Sequence, residues 1–258
     1  MVLRFLDHLL RSRTRYGVHS PFVYEFVTQV LPYQGSDWGQ RIDAIRRERR
    51  GSEKVFEIND LGAGYGGKHQ AIIRKTEAQV IRSSARKRRS GELLHRICRW
   101  HGPGLGIELG TNLGYSTAYQ AAGMEGGKLI SIEGASELSG RAGEMLDELG
   151  LEVDLRVGDF EHQLQEIKVS EMEFHYALMD GNHQYEATIL YFDQLVSMMG
   201  PNGLIIVDDI NWSAGMRQAW KEIKSRKEVN VTIDLFFLGL CFVHRPQARQ
   251  DFRFRFLP

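Results

Sequence analysis

The sequence predicts an α/β fold: a mostly parallel sheet with helices on both faces and an antiparallel last strand, preceded by a mainly helical N-terminal extension. Two observations lead there. From Gly104 onward, short apolar runs alternate with amphipathic stretches of helix length, and each run ends at or just before an acidic residue or a glycine. Strands that alternate with helices form βαβ units, whose strands run parallel. Before Gly104 the chain is instead basic and of helical composition.

The extension begins with Leu3, Leu6 and Leu10 at helical spacing, with Arg4 and Asp7 inside the stretch. The charges and the lack of a small-residue cleavage site argue for a helix packed on the fold rather than a targeting segment. Ser20 followed by Pro21 is a cap and first-turn pair for a helix carrying Phe22, Val23, Phe26, Val27 and Val30, ended by Pro32 and Gly35. A charged helix is expected from Trp38 to Arg50, a strand over Lys54 to Ile58, and a long helix from Gln70 to Trp100.

In the second part the strands expected are Gly104 to Leu109, Lys128 to Ile132, Val153 to Val157, His175 to Met179 and Leu204 to Val207. Helices fill Ser116 to Met124, Ser136 to Leu149, Glu161 to Ile167 and Glu186 to Met199, with one more after Trp212. Val229 to Phe236 and Gly239 to Val243 are joined by two residues, so these last strands must be antiparallel. The boundaries divide the chain into an extension over 1–101, acting as a cap, lid or interaction module, and a ligand-binding domain over 102–258.

The 258 residues carry 33 basic and 33 acidic side chains, and 42% are apolar, which excludes disorder and a fibrous fold. No run reaches the roughly 18 apolar residues of a membrane span. Two cysteines, Cys98 and Cys241, make no disulfide framework, so a reducing, cytoplasmic setting is expected. The neutral total conceals a net +10 over residues 1–101 and −10 over the rest. Basic residues concentrate in Arg41 to Arg50 and Arg74 to Arg89 without interleaved aromatics to stack on bases. Solvated helix faces are therefore favoured over a nucleic-acid patch.

Ligands of an open α/β sheet bind beyond the carboxyl ends of its strands. Those ends hold Glu108, Glu133, Asp159, Asp180 and the pair Asp208 and Asp209, spaced by 25, 26, 21 and 28 residues, one βα period each. Two glycine loops compete for a nucleotide. Gly62, Gly64 and Gly67 fit GxGxxG, but no strand ending in an acid follows about 20 residues on. In the second loop, Ile107 to Thr117, Gly110 permits a sharp turn, Gly114 lets backbone approach a ligand, and Glu133 closes the next strand at the required distance. A carboxylate in that loop suits an ammonium better than a pyrophosphate. Glu108 facing the amino group of a methionyl moiety, with Ser116 and helix-start N–H groups facing its carboxylate, points to S-adenosylmethionine rather than a nicotinamide dinucleotide.

Residues 102–258 resemble the Rossmann-like class I S-adenosylmethionine-dependent methyltransferases of the catechol O-methyltransferase-like group. The resemblance rests on GIELGTNLGYST, LISIEG, VGDF, MDGNHQY and IIVDDINW, in order and at matching spacing. With RYGVHSPFVYEFV and DLGAG near the start, the whole chain resembles bacterial methyltransferase-like proteins with a helical N-terminal extension. The resemblance implies that Glu108, Gly110, Thr111, Gly114 and Ser116 hold the methionine part, Glu133 the ribose hydroxyls, and Asp159 with the Phe160 backbone the adenine.

The same resemblance implies a magnesium or other divalent ion on Asp180, Asp208 and Asp209, with Asp where the group has Asn. It places His183 where the group has a lysine general base. His183 as a base and His183 as a carboxylate partner or helix cap remain open alternatives. The expected activity is methyl transfer to an oxygen of a small molecule or sugar. The alternatives are a non-catalytic cofactor-binding protein and an RNA methyltransferase using the basic half. A small-molecule acceptor and a homodimer are the expected partners, with no membrane and nucleic acid disfavoured.

Overall fold

The computed structural model describes residues 1–60, 71–84 and 87–257. The chain forms two compact units, Tyr33–Glu166 and Met1–Pro32 together with Ile167–Pro258. Eight of its strands make up a mixed sheet, as the alternation of strands and helices in the sequence requires.

In the unit Tyr33–Glu166, helix α3 (Asp37–Arg49) starts where the Ser36 hydroxyl accepts the Gly39 N–H at 3.0 Å. Strands β1 (Val55–Asp60) and β2 (Ala71–Thr76) pair antiparallel. Helices α4 (Glu77–Ser84) and α5 (Arg88–His101) follow. The long helix expected over 70–100 is thus a strand and two helices. Its β-branched opening, Ile72, Ile73 and Thr76, pairs with β1, a tertiary contact that outweighs helical composition. The glycine loop at 61–67 lies outside the described residues.

Strands β3 (Leu105–Leu109), β4 (Lys128–Glu133) and β5 (Asp154–Val157) run parallel with β4 central. They are linked by α6 (Tyr115–Gly123) and α7 (Ser136–Leu149), and α8 (Phe160–Val169) begins after β5. One apolar core joins Ile42 and Ile45 of α3, Phe56 of β1, and Val80 and Ile81 of α4 to Tyr119 of α6 and Met145 and Leu146 of α7. Burial of this surface is the main favourable term holding α3, β1 and α4 to α6 and α7, at about 25 cal/mol per Å². The packing is close. A Cβ on Gly91 of α5 would lie 2.2 Å from the Tyr119 ring, so only glycine lets α5 and α6 approach this far.

In the other unit, β6 (Phe174–Met179) and β7 (Met199–Asp208) are parallel. Strand β9 (Leu238–Val243) runs antiparallel to both β7 and β8 (Val229–Asp234), as expected for β8 and β9 joined by a short connection, here the three residues Leu235 to Phe237. A further strand, β10 (Gln250–Arg253), lies parallel to β8. Helices α9 (Tyr185–Val196) and α10 (Ala214–Ile223) pack on each other. Helix α1 (Val2–Arg11) is fastened to this unit through Phe5, whose ring meets Phe236 edge-on at 4.9 Å, and through His8. The His8 ring bonds the Phe254 carbonyl at 2.9 Å and lies 3.4 Å from Asp234. The Ser20–Pro21 start opens α2 (Pro21–Glu25), which continues as a π-helical turn over Phe26–Val30. Among the described residues no helix is long and apolar enough to cross a membrane.

Candidate functional site

The second glycine loop is the turn between β3 and α6, and its shape follows from its residues. Gly110 has φ +106° and Gly114 φ +79°, both in the region that L side chains avoid, and Asn112 joins them at φ +51°. The Gly110 N–H donates to the Ile132 carbonyl at 2.9 Å, tying the turn to β4. A Cβ on Gly114 would sit 2.9 Å from the Ala142 Cβ, so the glycine also lets α7 come close. Gly114 caps α6 without a side-chain acceptor, which leaves the first N–H groups of that helix available to an anion.

Glu108 is fully buried beneath the turn. Its Oε1 accepts from Ser116 Oγ and Gln120 Nε2, both at 2.6 Å. Its Oε2 accepts from Thr117 Oγ1 at 2.5 Å and Ser131 Oγ at 2.6 Å. Thr111 Oγ1, also buried, lies 2.6 Å from Ser131 Oγ and extends the network. With four donors on two oxygens, Glu108 has no capacity left for a ligand ammonium. In this arrangement Glu108 fastens the turn from below. Ser116 spends its hydroxyl proton on the same carboxylate.

Glu133 ends β4 and is half-buried. It accepts the Asn112 N–H at 2.8 Å and the Ala135 N–H at 3.0 Å. Burial raises its carboxyl above the ordinary range, opposed by these backbone donors. Asp159 is exposed and caps α8, taking the Glu161 and His162 N–H groups at 3.0 and 3.2 Å on Oδ1, while Phe160 is the first residue of that helix. Oδ2 remains for a ligand.

The structure therefore brings Gly110, Thr111, Gly114, Ser116 and Glu133 around one turn. It also shows what sequence reading missed: Asn112, Thr117, Gln120 and Ser131. The signal was present, since Ser116, Thr117 and Gln120 share a helix face and Ser131 pairs in register with Glu108. The set fits S-adenosylmethionine: uncapped N–H groups for the carboxylate and a half-buried acid for vicinal hydroxyls.

At the ends of β6 and β7, Asp180 is half-buried, Asp208 is buried and Asp209 is half-buried with φ +53°. His183 Nε2 lies 4.0 Å from Asp209 Oδ2. Helix α9 has Gln184 as its N-cap residue and no side-chain cap, so His183 does not cap it. Among the described residues no group of three or more His, Cys, Asp or Glu side chains comes together as a metal site. Asp180, Asp208 and Asp209 are thus not drawn together into a three-carboxylate set. The helix face bearing His95 and Cys98 is buried.

A family model described as a methyltransferase domain matches residues 107–210. No curated protein matches. Among solved structures, the O-methyltransferase from Bacillus cereus in complex with SAH is 17% identical, with TM-score 0.56 over 86% of this chain and 97% of that one. TomG from Streptomyces achromogenes, an O-methyltransferase involved in tomaymycin synthesis and bound to SAM, is 18% identical, with TM-score 0.57 over 86% and 96%. The SAH-bound methyltransferase PaMTH1 of Podospora anserina is 15% identical, with TM-score 0.60 over 88% and 99%. The matched residues contain the turn after β3, the acid ending β4 and the aspartates ending β6 and β7. Residues 107–210 are therefore similar to a methyltransferase domain, and the chain shares the fold of these SAM- and SAH-bound methyltransferases.

Proposed function

We propose that this protein transfers the methyl group of S-adenosylmethionine to a hydroxyl oxygen of a small molecule. The observation that carries this reading is the Gly110–Gly114 turn with uncapped α6 N–H groups on one side and Glu133 on the other. The cofactor supplies an electrophilic methyl on a sulfonium. The residues of the turn bind and orient it, with helix N–H groups on its carboxylate and Glu133 accepting from the ribose hydroxyls. Asp159 would accept from the adenine amino group through the oxygen its helix leaves free.

In the transfer the acceptor oxygen forms a bond to the methyl carbon as the carbon–sulfur bond breaks, its electron pair neutralising the sulfonium. The hydroxyl proton has to leave, and His183 is the residue proposed to take it on Nε2, with Asp209 as countercharge. Alignment and water exclusion account for most of such a rate enhancement.

The test pairs calorimetric titration with SAH and transfer of labelled methyl to a panel of phenolic, catecholic and sugar acceptors, with and without EDTA. Micromolar SAH binding with labelled methyl ether on at least one acceptor is the expected result. Loss of turnover in EDTA, restored by magnesium, would add a divalent cation to this reading, and turnover that survives the chelator would show that none is required. SAH binding without transfer to any acceptor would overturn the enzymatic reading, and absence of SAH binding would overturn the cofactor assignment.

A further inference from the structure

A cavity of about 540 Å³ is lined by Gln40, Asp43, Arg46, Arg47 and Arg50 of the α3 region and by Lys87 and Arg88 at the start of α5, with Arg46 also stacking on Tyr115 just after the glycine turn. Five cations and one carboxylate face this space. Asp43 is already shared, with Oδ1 3.5 Å from Arg46 and Oδ2 3.5 Å from Arg88. Arg88 is also 3.6 Å from the buried Glu92. Arg47, Arg50 and Lys87 have no carboxylate within ion-pair distance among the described residues. Three uncompensated positive charges around one concavity repel one another, a cost that an anionic ligand would remove.

A second feature points the same way. Helix α5 is 14 residues long, its N-cap is Lys87, no side chain caps it and its first turn holds no acid. Acids are favoured at that end of a helix, and Lys87 and Arg88 stand there instead. The unpaired N–H groups and the two cations together suit phosphate oxygens.

We infer that this cavity binds the diphosphate group of a small ligand. Three unpaired cations match the roughly three negative charges of a diphosphate near neutral pH. The volume falls within the roughly 300 to 1,000 Å³ of small-molecule sites. No aromatic side chain lines the space. A nucleic-acid surface would be expected to offer such platforms to bases, so the concave, aromatic-free cluster favours a compact polyanion. The inference stands whether or not the methyl-transfer reading holds.

The test titrates the full chain with inorganic pyrophosphate and, separately, ADP, for wild type and for Arg50→Glu and Lys87→Glu. Arg50 and Lys87 are exposed, so reversal should leave the fold intact, as unchanged melting and unchanged SAH binding would verify. Pyrophosphate binding that falls about tenfold or more in each variant, and weakens with added salt, is the expected result. Tighter binding of ADP than of pyrophosphate would identify a nucleoside diphosphate as the ligand. No binding of either at millimolar concentration, or binding that both reversals leave unchanged, would overturn the assignment. So would binding of single-stranded RNA with none of pyrophosphate, which would make the cluster a nucleic-acid surface.

Discussion

The backbone N–H of Asn112, at the tip of the glycine turn, donates to Glu133 Oε2 across 2.8 Å. One acid therefore serves two ends. It holds the turn in its left-handed conformation from the neighbouring strand, and its remaining acceptor capacity faces outward, where ribose hydroxyls are proposed to bind. Positioning of the turn and the proposed binding of the ribose would thus be coupled through a single side chain.

Because burial raises the Glu133 carboxyl, ionising it costs more in the folded protein than in the unfolded chain. Well below the ordinary carboxyl range both states keep the proton and nothing is lost. As pH rises through that range the unfolded chain releases its proton first, so the contribution of Glu133 to stability declines. The unfolding free energy of wild type, measured in urea, should fall relative to that of Glu133→Gln as pH rises above about 4, the ordinary glutamate range. A difference that stays flat across this range would contradict the assignment.

Gly114 and Gly126 both have φ +79°, but a Cβ on Gly114 would meet Ala142 at 2.9 Å whereas one on Gly126 would meet nothing within 4 Å. The pair separates backbone strain from steric overlap. Gly126→Ala should cost about 1 to 2 kcal/mol, the left-handed penalty alone. Gly114→Ala should cost about 1 to 3 kcal/mol more, through overpacking against α7, and should weaken SAH binding as the turn shifts. Equal losses in the two variants would show that the approach of α7 is not what requires glycine.

The β3–α6–β4–α7–β5 series was legible because each of its segments has one strong periodicity, bounded by an acid or glycine. The hairpin of β1 and β2 was not. Its second strand, Ala71–Thr76, lies inside a basic stretch of helical composition, and only pairing with Val55–Asp60 makes it a strand. Strand β10 is short and charged, and depends in the same way on β8. At the site, the sequence placed Glu108, Glu133 and Asp159 at or just after strand ends, and that is where the structure has them. Their roles were less legible, because a carboxylate facing four hydroxyl and amide donors looks the same in sequence as one facing a ligand.

Glu108 provides a direct measure of that difference. Glu108→Ala would leave the Ser116, Thr117, Gln120 and Ser131 donors without their acceptor in a fully buried space. A loss of at least about 3 kcal/mol is expected, since each stranded donor costs about 1 to 3 kcal/mol before relaxation. Glu108→Gln should cost less, because the two serines and the threonine can rotate their hydroxyls toward the remaining carbonyl oxygen or the amide. Chemical unfolding of both variants reads this directly. A stable Glu108→Ala protein that has lost only SAH affinity would return Glu108 to the ligand.

Asp159 carries two proposed functions on its two oxygens, and these respond differently to substitution. Oδ1 caps α8 through the Glu161 and His162 N–H groups, a job that the carbonyl oxygen of Asn performs equally well. Oδ2 is proposed to accept from the adenine amino group, and Asn would offer an NH2 donor at that place instead. Asp159→Asn should therefore melt like wild type while binding SAH about tenfold or more weakly, since a ligand donor facing a protein donor loses about 1 to 3 kcal/mol. Asp159→Ala should lose both, with about 1 kcal/mol of stability gone from the missing cap. Differential scanning calorimetry alongside SAH titration distinguishes the two. If Asp159→Asn binds SAH as tightly as wild type, Asp159 is a helix cap alone and the adenine is held elsewhere.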